Sequence, residues 1–150
     1  MLAQRPYVPN VPEELSTLFA EEELSLLGIT DALDAPEYEA EYREWINRGL
    51  AGSMHYLESH TPLKYHPSRI LPGCSSIIFA GVNYYQRPSH EPQQGEGRIA
   101  RYAWGRDYHR LLGKRLKRIA ARLAERYPEE EFKPGTDSTP LAERFYAERA

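Results

Sequence analysis

Cysteine is nearly missing from this sequence: its 150 residues hold one, Cys74. No intrachain disulfide can form, and no cysteine-based zinc or iron–sulfur site can be completed from within the chain. A reducing compartment fits that usage. Long apolar runs are missing too. None approaches the ~18 residues that a membrane-spanning helix needs, and the N-terminal MLAQRPYVPN lacks the apolar stretch of a secretory signal. The expectation is a soluble cytoplasmic protein. The sequence also has no Walker loop, no G-x-G-x-x-G and no G-x-S-x-G, so these nucleotide-binding and hydrolase signatures give no lead. His55, His60 and His66 are spaced by five and six residues without an H-x-x-x-H pair, and no metal site is expected from them.

What is present points elsewhere. Eleven tyrosines against four phenylalanines favour surfaces that are both apolar and hydrogen-bonding. Charge is uneven. The chain carries a formal −3, yet residues 98–126 hold ten Lys/Arg and only Asp107 and Glu125 as acids. The rest of the chain is correspondingly acidic. Such asymmetry suits an anionic partner, either nucleic acid or a phosphate-bearing cofactor.

Periodicity predicts a helix over 11–23, with Pro12 in its first turn, and a strand over 24–30. A second helix is predicted over 36–48, where Tyr38, Tyr42, Trp45 and Ile46 recur at helical spacing and Gly49 follows as a stop. Residues 52–73, rich in proline, read as loop. SIIFAGVNYY (76–85) reads as a strand covered on both faces, and 87–97 as a mobile polar loop. The longest helix is predicted over 107–127. Its apolar stripe is Tyr108, Leu111, Leu112, Leu116, Ile119, Ala120, Leu123 and Tyr127. A short strand at 129–132 and a last helix over 136–150, capped by Ser138 or Thr139, complete the pattern. The expected fold class is α/β or α+β, a small central sheet with flanking helices in one domain.

Three features carry chemistry. Arg110, Lys114, Arg118, Arg122 and Arg126 follow at i+4 and form one slowly turning basic stripe. They can track a nucleic-acid backbone, or form a solvated face docked on the acidic remainder. Tyr102, Trp104, Tyr108 and His109, beside Arg101 and Arg106, can stack a base or line the pocket of a large planar cofactor. They can equally form a packing corner with Asp107 as helix cap. Asp137 can act as a general acid if enclosed, or simply complement a helix dipole. Cys74 reads as a small packed residue.

RILPGCSSIIFAGVNYY, GRIARYAWGRDYHRLLGKRLKRIAARL and DSTPLAERFYAERA occur in this order, with YREWINRGLAGSMHYLE upstream. Together they resemble the N-terminal part of the epoxyqueuosine reductases, cobalamin-dependent iron–sulfur enzymes of queuosine biosynthesis. The resemblance implies a nitroreductase-like part of a cobalamin-binding core. It implies reduction of epoxyqueuosine to queuosine at the tRNA wobble position, with cobalamin at the substrate and two [4Fe–4S] clusters supplying electrons. By the same resemblance Asp137 matches the proton donor and lies in the cofactor site. Ala100 and Arg101 lie in a segment of the cobalamin cradle. Lys64 stands where the family usually has Arg near the cofactor, and His66 where it usually has Asp. Arg110, Lys114, Arg118 and Arg122 become candidates for guiding tRNA.

The family pattern continues beyond this sequence with a glycine-rich segment and the cluster cysteines. Residues 1–150 are therefore expected to be the cobalamin- and substrate-binding module, with the ferredoxin-like iron–sulfur domain absent from this chain. The remainder of the enzyme is then its partner, and the chain alone is expected to be inactive. Two alternatives stay open. One is a non-catalytic truncated RNA-binding or protein-interaction module. The other is a nitroreductase-like flavin enzyme, for which no flavin motif is present.

Overall fold

Pro12 has no N–H to leave unsatisfied, and it opens α1 (Glu13–Glu21). The structure is a computed structural model that describes residues 11–88, 93–95 and 97–150, without the side chains of residues 26 and 27. The N-terminal decapeptide and part of the loop predicted over 87–97 lie outside the described residues.

α1 ends in a tight stop. Glu23 N–H donates to Ala20 O at 2.9 Å and Leu24 N–H to Phe19 O at 2.9 Å, the paired bonds of a Schellman turn. Glu23 holds the left-handed position with φ 55°, where glycine is the usual occupant. The turn sends the chain into β1 (Ser25–Asp31). β1 pairs antiparallel with β2 (Ser76–Gly81), with a register shift between Leu26 and Gly28. Among the described residues the sheet has these two strands. The molecule is thus mixed helix and strand with a small sheet, as predicted. β2 stops at Gly81, short of Tyr85, and Ile77–Ala80 are half-buried. The expectation of a strand covered on both faces is corrected: these side chains keep partial exposure, because a two-stranded sheet is too narrow to be enclosed.

α2 (Pro36–Asn47) follows the predicted periodicity, and Gly49 (φ 71°) ends it. The proline-rich loop expected over 52–73 is instead mostly helical: α3 (Tyr56–Lys64) and α4 (Pro67–Ile70). Pro62 lies inside α3 near its end, where one missing donor is tolerated. Buried Thr61 ties the helix to itself, its hydroxyl donating to Leu57 O at 3.0 Å. His66 is buried with ring nitrogens 3.1 Å from Asp34 Oδ2 and 2.6 Å from Glu39 Oε2. It clasps the β1–α2 connection to the α3–α4 turn.

α5 (Tyr108–Arg126) is the long helix, capped by Asp107, whose carboxylate accepts from His109 N–H at 3.0 Å. Ile119 and Leu123 bury against Phe19 and Leu24, with Leu112, Leu116, Ile78 and Phe132 around them. Leu111 and Tyr127, counted in the predicted stripe, are 48% and 46% exposed because they lie at its edges. Residues 129–132 are turn and coil, not strand. Three consecutive glutamates there leave Phe132 as the side chain that reaches the core. α6 spans Glu143–Ala147, not 136–150, and neither Ser138 nor Thr139 caps it. The preceding residues close on themselves instead: Thr139 N–H donates to Thr136 O and Leu141 N–H to Thr139 O, both at 2.7 Å. A methyl group at Gly135 would collide with Thr139 Oγ1, so this close turn depends on glycine. Tyr146 is fully buried and its hydroxyl donates to Leu33 O at 3.0 Å.

Candidate functional site

The turn at 135–141 carries Asp137 to the first turn of α5. There the Tyr108 hydroxyl donates to Asp137 Oδ2, and His109 Nε2 lies 2.7 Å from Asp137 Oδ1. The other ring nitrogen, Nδ1, lies 2.8 Å from Asp107 Oδ1. Both nitrogens can donate to carboxylates only in the imidazolium form. His109 is accordingly raised above its ordinary value, first by the hydrogen bond to Asp107, with the charges of Asp137 and Asp107 adding to it. Asp107 is held below the usual carboxylate range, chiefly by the same bond. Tyr108 is pushed up to about 12, chiefly by its bond to Asp137. Both carboxylates favour the protonated form of His109.

Glu143, the first residue of α6, lies within reach of the Asp137 charge. Burial raises it, the charge of Asp137 raises it further, and Lys64 opposes them. Burial in turn lowers Lys64, whose ammonium lies 5.1 Å from the centre of the Tyr42 ring. α3 and α6 are joined directly here, Ala142 N–H donating to Lys64 O at 2.8 Å. Tyr108, Asp137 and Glu143 sit at the rim of a cleft of about 620 Å³ whose floor is the apolar face of α5 and β2.

A second, shallower groove of about 570 Å³ is lined by Tyr84, Tyr85, Ala100, Arg101 and Tyr102. A single 3-10 turn, Arg101–Ala103, shapes it. The Arg101 guanidinium lies 4.7 Å from the centre of the Tyr85 ring, and Trp104 Nε1–H donates to Ile99 O at 2.9 Å. Edge-to-face contacts run from Tyr84 to Tyr102 (6.4 Å) and from Tyr102 to Tyr108 (5.9 Å), and Tyr108 stacks on His109 (4.2 Å). The groove therefore communicates with Asp137 through aromatic rings.

The predicted site residues divide accordingly. Lys64 and Asp137 both act on Glu143 through their charges, Ala100 and Arg101 line the groove, and the basic stripe splits. Arg118 pairs with Glu22 and Arg122 with Glu21, each at 2.5 Å, while Arg126 pairs with Glu14 and Arg115 with Glu23. The structure thus places much of the stripe on the acidic face of α1. Sequence reasoning did not join Tyr108, His109 and Asp107 to Asp137, and it missed Glu143. The D-Y-H triplet at a helix start was the available signal, because an N-cap carboxylate accepts from the N–H of the residue two positions on and so draws that residue toward it. Among the described residues there is no metal-binding cluster of His, Cys, Asp and Glu, and Cys74 is half-buried with its thiol facing Ser76 O. No described helix is long and apolar enough to cross a membrane.

The groove suits one edge of a large planar cofactor: flat rings, an exposed cation and backbone polar groups border it. For an iron–sulfur cluster the donors do not fit, since one cysteine cannot hold it.

Known proteins resemble the chain along most of its length. Residues 64–138, half of the chain, match the family described as Epoxyqueuosine reductase QueG, DUF1730. The chain is 33% identical over 144 residues to an epoxyqueuosine reductase of Synechococcus sp. (strain CC9605), covering 94% of this chain and 44% of that protein. It is 34% identical over 130 residues to that of Escherichia coli (strain K12), covering 83% of this chain and 34% of that protein. The fold matches the solved structure of epoxyqueuosine reductase from Streptococcus thermophilus with a TM-score of 0.70 and 26% identity, over 87% of this chain and 35% of that one. The chain thus spans less than half the length of these relatives.

Proposed function

The chain belongs to the epoxyqueuosine reductase family, and from that premise we propose that it forms the substrate- and cofactor-binding module of such a reductase, acting on epoxyqueuosine at the wobble position of tRNA. The observation that carries this reading is the Asp137 cluster. Removing an epoxide oxygen requires two electrons and two protons: a carbon–carbon double bond forms and the oxygen leaves as water. The departing oxygen is strongly basic, so a proton donor lowers the barrier. Asp137 is that donor. With its two oxygens accepting from Tyr108 and His109, Asp137 stands as a half-exposed carboxylate, and it donates by taking the proton of His109 Nε2 and passing it to the departing oxygen, solvent then reprotonating His109.

Ala100, Arg101 and Tyr102 would hold one edge of cobalamin in the aromatic groove, with Lys64 and Asp137 on the side nearer the substrate. Cobalamin, when bound, supplies reducing electrons to the epoxide carbon. Cys74 is one cysteine and holds no [4Fe–4S] cluster, so the electrons would reach this module from clusters held by other cysteines. The cytoplasm, where tRNA is modified, is its proposed location.

The test is complementation of an Escherichia coli strain deleted for its own epoxyqueuosine reductase, using the gene that carries this chain. Mass spectrometry of tRNA nucleosides reads queuosine against epoxyqueuosine. Restored queuosine, lost again in Asp137→Asn, supports the reading. Persistent epoxyqueuosine with the protein folded and abundant removes the reductase assignment and leaves the non-catalytic RNA-binding or interaction module.

A further inference from the structure

The i+4 row of cations on α5 does not stay on one face. Each residue turns about 100°, so each i+4 step advances about 40°. Taking Arg110 as the origin, Lys114 and Lys117 stand within about 40° of it, whereas Arg118, Arg122, Arg115 and Arg126 fall about 80–160° round. The second group is the one paired with Glu22, Glu21, Glu23 and Glu14. The first group faces away from α1 and directly opposite the core side occupied by Ile119 and Leu123. Arg110, Lys114 and Lys117 are exposed, and they form no ion pair or side-chain hydrogen bond among the described residues. Arg110 acts on Asp107 through space alone.

A second observation falls beside them. Between His109 and Lys117, going round the helix, lies Gly113, deep inside α5. A glycine there weakens the helix. Nothing in the packing requires it, since an added methyl group would meet no atom within 4 Å. A glycine without a neighbour suits a ligand whose backbone approaches the helix closely.

We infer that the RNA strand leaving the Asp137 site runs along this outer face of α5. Arg110, Lys114 and Lys117 contact its phosphates, Gly113 lets the sugar–phosphate chain lie against the helix, and Arg118 and Arg122 take no part. The inference rests on the RNA-substrate reading above. The three cations rise along the axis by about 6 Å and then about 10.5 Å from Arg110, a spacing from which long side chains reach successive phosphates. Arg118 and Arg122 are already neutralised by carboxylates and release no counterions on binding.

The experiment measures binding of a fluorescent anticodon stem-loop RNA across a salt series. Arg110→Ala, Lys114→Ala and Lys117→Ala should each reduce the log–log salt slope by about 0.7–0.9, whereas Arg118→Ala and Arg122→Ala should leave it unchanged. Gly113→Ala should raise Tm by about 2–4 °C and yet weaken binding several-fold. Loss of slope in Arg118→Ala and Arg122→Ala equal to that in the first set overturns the partition, as does unaltered binding in Gly113→Ala. If the unmutated chain shows no salt-dependent binding of the stem-loop, the RNA reading itself fails, an outcome distinct from binding through the wrong residues.

Discussion

The two flanks of α5 are built from similar residues and behave differently. Toward α1, four arginines meet four glutamates across an exposed seam, 92 to 112 residues apart in sequence. Toward the turn at 135–141, a tyrosine and a histidine converge on one carboxylate, and a second carboxylate anchors the histidine from behind. The seam is a set of parallel pairs, each replaceable by its neighbours and weakened by water. The cluster is a connected network in which each proton position depends on the next group. Charge density alone says little about role; how the partners connect says more.

The largest effect that would sharpen this contrast is at Asp137. Asp137→Asn in the complete enzyme should lower single-turnover epoxide reduction by about 10²–10⁴-fold, with Tm little changed. Unchanged turnover with a lowered Tm would make the cluster another structural contact and erase the distinction. Next is the protonation of His109. The His109 midpoint, read by NMR, should lie above the ordinary value of about 6.5 and fall in Asp107→Asn more than in Asp137→Asn, since the Asp107 hydrogen bond is its main cause. Because the folded value is raised, the clasp contributes fully below about pH 6.5 and is lost as pH rises through that folded value. Asp107, being lowered, contributes above its ordinary range near 3.9 and loses its contribution in acid. A His109 midpoint at or below the ordinary value would remove this proton source.

Smaller effects belong to the seam. Arg118→Ala should lower Tm by no more than a few degrees, less at high salt, and leave turnover intact. A loss of turnover would link the seam to the site. The smallest is at Glu23. Glu23→Gly relieves a left-handed conformation that costs roughly 1–2 kcal/mol for a residue with a Cβ, and gives up an exposed pair with Arg115. Tm should hold or rise slightly. A fall of several degrees would show that this pair, rather than the Schellman turn, ties α1 to α5.

Several elements were legible in the sequence alone. α2 and α5 repeat apolar residues at helical spacing, Asp107 caps and Gly49 stops where their chemistry allows, and β1 and β2 fall where apolar runs meet turn signals. The misplaced elements share a cause. α3 contains Pro62 yet forms, because burial of Thr61 and the contacts of His66 outweigh one missing hydrogen bond. The final helix starts at Glu143, seven residues after the start of the predicted span, because 136–142 fold back to deliver Asp137 to α5. Local spacing determines a helix's faces, and this sequence specified those of α5 by itself. Which carboxylate each face meets depends on residues up to 112 positions away. Only tertiary packing decides that: the angle at which α1 and the 135–141 turn cross α5 sends Arg118 and Arg122 to glutamates, His109 to Asp137, and leaves Arg110, Lys114 and Lys117 facing solvent.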